Sequence, residues 1–186
     1  SHIRAEPERF ARLTAALTPE DRHDPAKAQL PPYYPDDPTI MTFGADGTLK
    51  NSAAVDLADA HGITLVKEGG NEYLWVADNG AKRRPSTKYE SLPDMGRVEG
   101  QAVKMTLGGK TLLRLEQPPL PEYRENDYKP TWVAVNEERN GGNGDVWVAD
   151  GYGQNKVHRY NKGGGYLSSI SGEEGSAGAF NCPHAV

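Results

Sequence analysis

The stretch Glu72-Tyr73-Leu74-Trp75-Val76-Ala77-Asp78-Asn79-Gly80 returns as Gly144-Asp145-Val146-Trp147-Val148-Ala149-Asp150-Gly151-Tyr152. Both copies carry Trp-Val-Ala-Asp and then turn residues, and an internal repeat of this kind constrains architecture more than any local propensity. A short apolar strand precedes each copy, His61-Gly62-Ile63-Thr64-Leu65 in one case and Thr131-Trp132-Val133-Ala134-Val135 in the other. An alternating strand follows each, Ala102-Val103-Lys104-Met105 and Val157-His158-Arg159-Tyr160. Next come glycine turns, Gly108-Gly109 and Gly163-Gly164-Gly165, and fourth strands, Thr111–Leu115 and Tyr166–Ile170. Four short antiparallel strands joined by tight turns make one repeating unit.

A lone four-stranded sheet of this kind leaves both faces uncovered, and stacking against neighbours on either side resolves that. The pattern therefore reads as an all-β chain forming part of a β-propeller, with four strands to a blade. Asp78 and Asp150 close the second strand of each unit, and a carboxylate there is expected to cap the turn that follows. Upstream, Ile40-Met41-Thr42-Phe43 leads through the turn signal Gly44-Ala45-Asp46-Gly47 to Thr48-Leu49. Residues 1–38 differ. Phe10, Leu13 and Leu17 behind Pro7 predict a short amphipathic helix from Pro7 to Leu17. Leu30-Pro31-Pro32-Tyr33-Tyr34-Pro35-Asp36-Asp37-Pro38 predicts an extended proline-rich arm that acts as a spacer. Two regions result: 1–38, helix and arm, and 39–186, an incomplete propeller of about two to three blades with openings near 61, 131 and 184. An insertion from Ala81 to Gly100 sits between the second and third strands of the first unit, as surface decoration or as part of a binding mouth. The chain starts at Ser1 and stops at Val186 inside an expected strand. Such a piece of a closed propeller is expected to expose strand edges and to be a poor monomer.

Composition agrees with many short strands and tight turns: Gly is found 21 times and Pro 14 times. The net charge is −5 at pH 7, and the densest basic patch is Lys82-Arg83-Arg84, which argues against a nucleic-acid partner. No apolar run reaches the roughly 18–20 residues of a membrane-spanning helix. With Cys182 as the one cysteine, no disulfide forms within the chain, and the compartment stays open. Cys182 itself is expected to be a small buried packing residue, with a soft metal ligand as the other reading.

The blade openings align as Ala60-His61-Gly62-Ile63, Pro130-Thr131-Trp132-Val133 and Pro183-His184-Ala185-Val186. Histidine stands at the same position in the first and third, with Thr131 in the second. In a propeller the innermost strands line the axis, so these side chains are expected to converge. Two imidazoles with a third donor can hold zinc and leave an open coordination place. Each imidazole can equally serve to hydrogen-bond a backbone group beside the channel. His158 lies mid-strand and His2 and His23 lie in the arm; no role is read for them.

These residues resemble NHL-repeat propellers and, within them, the lyase domain of peptidylglycine α-amidating enzymes. In that family the openings read Pro-His-Gly, Pro-Thr-Asp and Pro-His-Ser. Val148-Ala149-Asp150-Gly151-Tyr152 is similar to the family's Ser-Asp-Gly-Tyr turn, and Gly178-Ala179-Phe180-Asn181-Cys182-Pro183-His184 completes the ordered set. The resemblance implies a six-bladed propeller, zinc ligands at His61 and His184, and Tyr152 as base or polariser of a substrate hydroxyl. The implied reaction is cleavage of a peptidyl-α-hydroxyglycine to a peptide amide and glyoxylate by a zinc-dependent carbon–nitrogen lyase. A small-molecule or peptide substrate and an extracellular or periplasmic setting follow from the same resemblance. The sequence departs from the family in four places: Ala60 stands where the family has proline, no arginine occurs between 39 and 60, the family's second-blade disulfide has no counterpart around Lys129 and Gly153, and its third zinc histidine would fall after Val186. Two other classes stay open. One is a non-catalytic NHL propeller that binds a protein or glycan through its loops, and the other is a lactonase-type propeller with calcium, which would favour oxygen ligands. A structural calcium stays open beside zinc.

Overall fold

In the computed structural model the described residues are 40–80, 99–123, 127–176 and 178–186. All fall in one of the two units into which the chain divides. The helix expected at 7–17, the proline-rich arm and the insertion up to residue 98 lie outside the described residues. The described part is all-β: three antiparallel sheets, one short 3-10 turn at Glu138–Asn140, and no α-helix among the described residues.

β1 (Ile40–Phe43) and β2 (Leu49–Ala53) form a two-stranded sheet. β3 (Ala60–Glu68), β4 (Asn71–Asp78), β5 (Gln101–Thr106) and β6 (Thr111–Leu115) form a four-stranded sheet in which each strand pairs with the next in sequence. β7 (Trp132–Val135), β8 (Val146–Asp150), β9 (Lys156–Tyr160) and β10 (Tyr166–Ile170) repeat that arrangement. The two repeat copies seen in the sequence are thus β4 and β8, the second strand of each sheet.

The apolar run of β4 is continuous because both its faces are covered. Alternate side chains point to opposite sides of a strand. Trp75 and Ala77 enter one core with Val66, Ala102 and Leu115 of their own sheet and with Val133, Val146, Val148 and Tyr160 of the next. Tyr123 and Tyr128, from the connection between the sheets, complete that core. Val76 points the other way, into a second core with Val103 and Met105 and with Ile40, Val55 and Leu57 from the two-stranded sheet and the segment after it. The two-stranded sheet covers only part of this face, and Ile63 and Leu65 on β3 stay about half exposed at 51% and 56%. Truncating Trp75 to alanine would remove the largest side chain of the shared core, a change that typically costs about 3–5 kcal/mol.

Polar contacts tie the two four-stranded sheets along β3 and β7. The Thr64 hydroxyl donates to the Val133 carbonyl at 2.5 Å, and the Lys67 N–H donates to the Glu137 carboxylate at 2.9 Å. Two expectations need correction here. Residues 183–186 form no strand, since Pro183 brings no N–H and the segment pairs with no strand among the described residues. Cys182 is half-exposed instead of buried, because it sits in a left-handed turn conformation, φ 55°, with its N–H held by the Asn155 side chain at 2.9 Å.

Where β3 meets β7, Gly62 lets two backbones approach. A Cβ there would lie 2.5 Å from the Thr131 carbonyl oxygen and 2.8 Å from the Trp132 ring. Gly62→Ala is therefore expected to destabilise the protein by about 1–3 kcal/mol. Chemical denaturation would show a lower midpoint at unchanged slope, and an unchanged midpoint would mean that the sheets have slack at this contact.

Candidate functional site

The site begins with two buried carboxylates. Asp78 Oδ1 accepts the Asp59 N–H at 2.7 Å and Oδ2 accepts the Ala58 N–H at 2.8 Å, so the chain is gripped just before β3 starts. Asp150 does the same before β7, its Oδ1 accepting the Lys129 N–H at 2.6 Å. Asp59 and Lys129 each stand two positions before an aligned opening residue, His61 and Thr131 respectively. The expected turn-capping also occurs, with the Gly80 N–H donating to Asp78 at 3.1 Å and the Gln154 N–H to Asp150 at 2.7 Å. Each carboxylate thus holds both the approach to the first strand and the turn after the second.

Asp150 is the better embedded. The Tyr123 hydroxyl donates to its Oδ2 at 2.6 Å and lies 2.6 Å from Nε2 of His158. Nδ1 of His158 lies 2.6 Å from the Ser169 hydroxyl, which in turn is 2.7 Å from the Tyr166 hydroxyl. Burial raises the Asp150 carboxyl, but His158, the Gln154 N–H, the Tyr123 hydroxyl and the Lys129 N–H together outweigh it and hold the group below its ordinary value. Burial, followed by the charge of Asp150, pushes the Tyr123 hydroxyl far up, so it stays a donor.

The turn after Asp150 presents Tyr152, 48% exposed. Its hydroxyl lies 3.1 Å from Nε2 of His61, and its ring meets the His184 ring edge-on at 4.8 Å between centroids. The two imidazole centroids are 5.3 Å apart. Nδ1 of His61 lies 3.0 Å from the Thr131 carbonyl oxygen, and Nδ1 of His184 lies 2.7 Å from the Cys182 carbonyl oxygen. A carbonyl can only accept, so each neutral imidazole carries its proton on Nδ1 and presents the Nε2 lone pair as an acceptor. The Tyr152 hydroxyl then donates to His61 Nε2. A metal-binding histidine is commonly set up in this way, with the far nitrogen anchored to a carbonyl. The backbone hydrogen bond foreseen for a channel-side histidine is therefore present on Nδ1 of both rings, while Nε2 of His61 accepts from the Tyr152 hydroxyl.

All three residues singled out in the sequence, His61, Tyr152 and His184, come together at one exposed spot. The donor set fits a borderline metal such as zinc, whose preferred ligands include imidazole, better than calcium, which takes oxygen ligands. Among the described residues no group of three His, Cys, Asp or Glu side chains converges, so these two imidazoles are part of a ligand set only. Cys182 contributes its carbonyl to His184. Sequence reasoning missed Tyr123 and the buried role of His158. The only signal was the placement of His158 directly opposite Ser169 on β10, a pairing that register reveals and spacing does not. The chain matches no family model and no curated protein by sequence.

Asp150→Asn keeps the shape but removes the charge and one full acceptor, and it is expected to lower stability by about 2–3 kcal/mol at pH 7. The folded carboxyl is depressed, so its contribution is complete above the ordinary value of 3.8 and disappears as pH falls through the lower folded value. Denaturation midpoints of the two proteins should therefore converge on going below that pH. A constant gap from neutral pH to strong acid would show that the carboxylate charge does not support the fold.

Proposed function

We propose that the chain is part of an NHL-type β-propeller and carries part of a zinc-dependent lyase site that cleaves a peptidyl-α-hydroxyglycine-type substrate. The propeller reading is supported by consecutive four-stranded sheets stacked face to face, each with its aspartate at an equivalent place. The observation that carries the functional reading is the meeting of His61 and His184 with both Nδ1 atoms anchored on carbonyls and Tyr152 against both rings.

His61 and His184 would hold the zinc through Nε2. When bound, the metal supplies a Lewis acid that lowers the pKa of a coordinated hydroxyl. The chain's own residues do the remaining work. The Thr131 and Cys182 carbonyls keep the imidazoles in the ligating tautomer. Tyr152, whose hydroxyl would be released from His61 Nε2 when that nitrogen ligates, moves the proton of the substrate hydroxyl. As that O–H bond breaks, a carbonyl forms at the α-carbon and the carbon–nitrogen bond breaks. The amide nitrogen takes up a proton, so the products are a peptide amide and glyoxylate.

Elemental analysis after zinc addition and dialysis is the test. In the complete propeller, where a further ligand can join the two imidazoles, about one zinc per chain is expected, and His184→Ala should lose it. Tyr152→Phe should keep the zinc while glyoxylate release from a peptidyl-α-hydroxyglycine falls by about 10²–10⁴-fold. A complete propeller that takes up no zinc with both histidines intact overturns the metal reading and leaves the imidazoles as backbone anchors. Zinc uptake without glyoxylate release overturns the lyase reading.

A further inference from the structure

Thr131 occupies the aligned opening position that holds histidine in the other two cases, and its contacts reach both of them. Its carbonyl oxygen accepts from Nδ1 of His61 at 3.0 Å. Its hydroxyl lies 2.7 Å from the carbonyl oxygen of Pro183, the residue before His184, and 3.2 Å from the carbonyl oxygen of Ala149. The Ala149 oxygen already accepts the Thr131 N–H at 2.8 Å, and the hydroxyl has a single proton to give. The shorter contact, to Pro183, is therefore the one that the hydroxyl proton serves. Thr131 is fully buried, so this bond is shielded from water.

Two further features show that the segment before His184 is seated against the turn that carries Tyr152. Gly151 has no side chain where a Cβ would lie 2.2 Å from the Pro183 oxygen and 3.0 Å from the Thr131 hydroxyl, so only glycine permits the approach. The Asn155 side chain, on a residue with φ 57°, accepts the Cys182 N–H at 2.9 Å. The segment is pinned at Cys182 and at Pro183, and His184 follows at once.

We propose that Thr131 is a positioning residue that sets both imidazoles: its backbone carbonyl orients His61 and its buried hydroxyl fixes the approach of His184. This rests on the metal reading only for its consequence on zinc; the positioning itself is a property of the metal-free chain. The Thr131 hydroxyl does not ligate, since it is turned into the protein and engaged there. Valine at this position keeps the shape and the carbonyl but removes the bond to Pro183. Serine keeps the bond and removes a methyl group.

The experiment compares wild type, Thr131→Val and Thr131→Ser in the complete propeller, first without metal and then with zinc alone, after thermal melts have established that each is folded. In the metal-free proteins, proton NMR contacts between the Tyr152 and His184 rings should be present in wild type and Thr131→Ser and lost in Thr131→Val. Contacts between the Tyr152 and His61 rings should persist in all three, because the Thr131 carbonyl is unchanged. A general loss of packing would remove both sets, so the split separates positioning from mere destabilisation. With zinc, chelator competition should show about 10–100-fold weaker binding for Thr131→Val and recovery in Thr131→Ser. Persistence of the Tyr152–His184 contacts in Thr131→Val, or their loss in Thr131→Ser or together with the His61 contacts, overturns the proposal. If no variant binds zinc while the ring contacts behave as described, the metal reading falls and the positioning role stands.

Discussion

The rest of the described structure depends on a carboxylate buried at the end of the second strand of each four-stranded sheet. A charge taken out of water must have its hydrogen bonds supplied by the protein. Asp78 and Asp150 draw most of theirs from backbone N–H groups before the first strand and in the turn after the second, with a side chain completing each set, Gln101 for Asp78 and Tyr123 for Asp150. Satisfying the carboxylate therefore fixes the height at which the first strand starts and the shape of the turn after the second. The residues that open β3 and β7 then face the same end of their sheets. The apolar alternation of β4 and β8 supplies the driving force for stacking, and the aspartates supply the registration.

The candidate site is a consequence of that registration. His61 comes from the start of β3 and Tyr152 from the turn after β8, and His184 arrives on a segment laid over that turn. None of these side chains is buried, so each owes its direction to polar contacts: carbonyls behind the imidazoles, and below Tyr152 the chain of Asp150, Tyr123, His158 and Ser169. The polar groups at the surface are thus mounted on a buried polar layer. A layer of this sort rigidifies its surroundings only while every member is paired.

Much of this was legible in the residues themselves. Trp-Val-Ala-Asp could be read twice because both strands bury an apolar face against the neighbouring sheet and close on a capping aspartate, and glycine turns marked the ends of the hairpins. His61, His184 and Tyr152 could be proposed together because equivalent positions in a repeat occupy equivalent places in space. The role of Thr131 could not, since it depends on where the carbonyl of Pro183 comes to rest. Tyr123 joins the network from a connection that carries no periodicity, and His158 looked like an ordinary strand residue until its partner across the ladder was known. Cys182 was misjudged on composition: the tendency of cysteine to be buried yields to a left-handed turn whose N–H is claimed by Asn155.

The contacts that make the site are long ones in sequence. His61 and Tyr152 are 91 positions apart, His61 and Thr131 are 70 apart, and Thr131 and Pro183 are 52 apart. Hairpins close within microseconds, whereas contacts of this span must await the entropy cost of ordering the chain between them. A folding molecule with every hairpin formed and its sheets still undocked would have its full strand content and no site. The imidazole cluster is thus a feature of the docked sheets and of no single hairpin. An ion shared between His61 and His184 would act as a clasp between β3 and the segment laid over the turn after β8, favouring the closed arrangement by mass action.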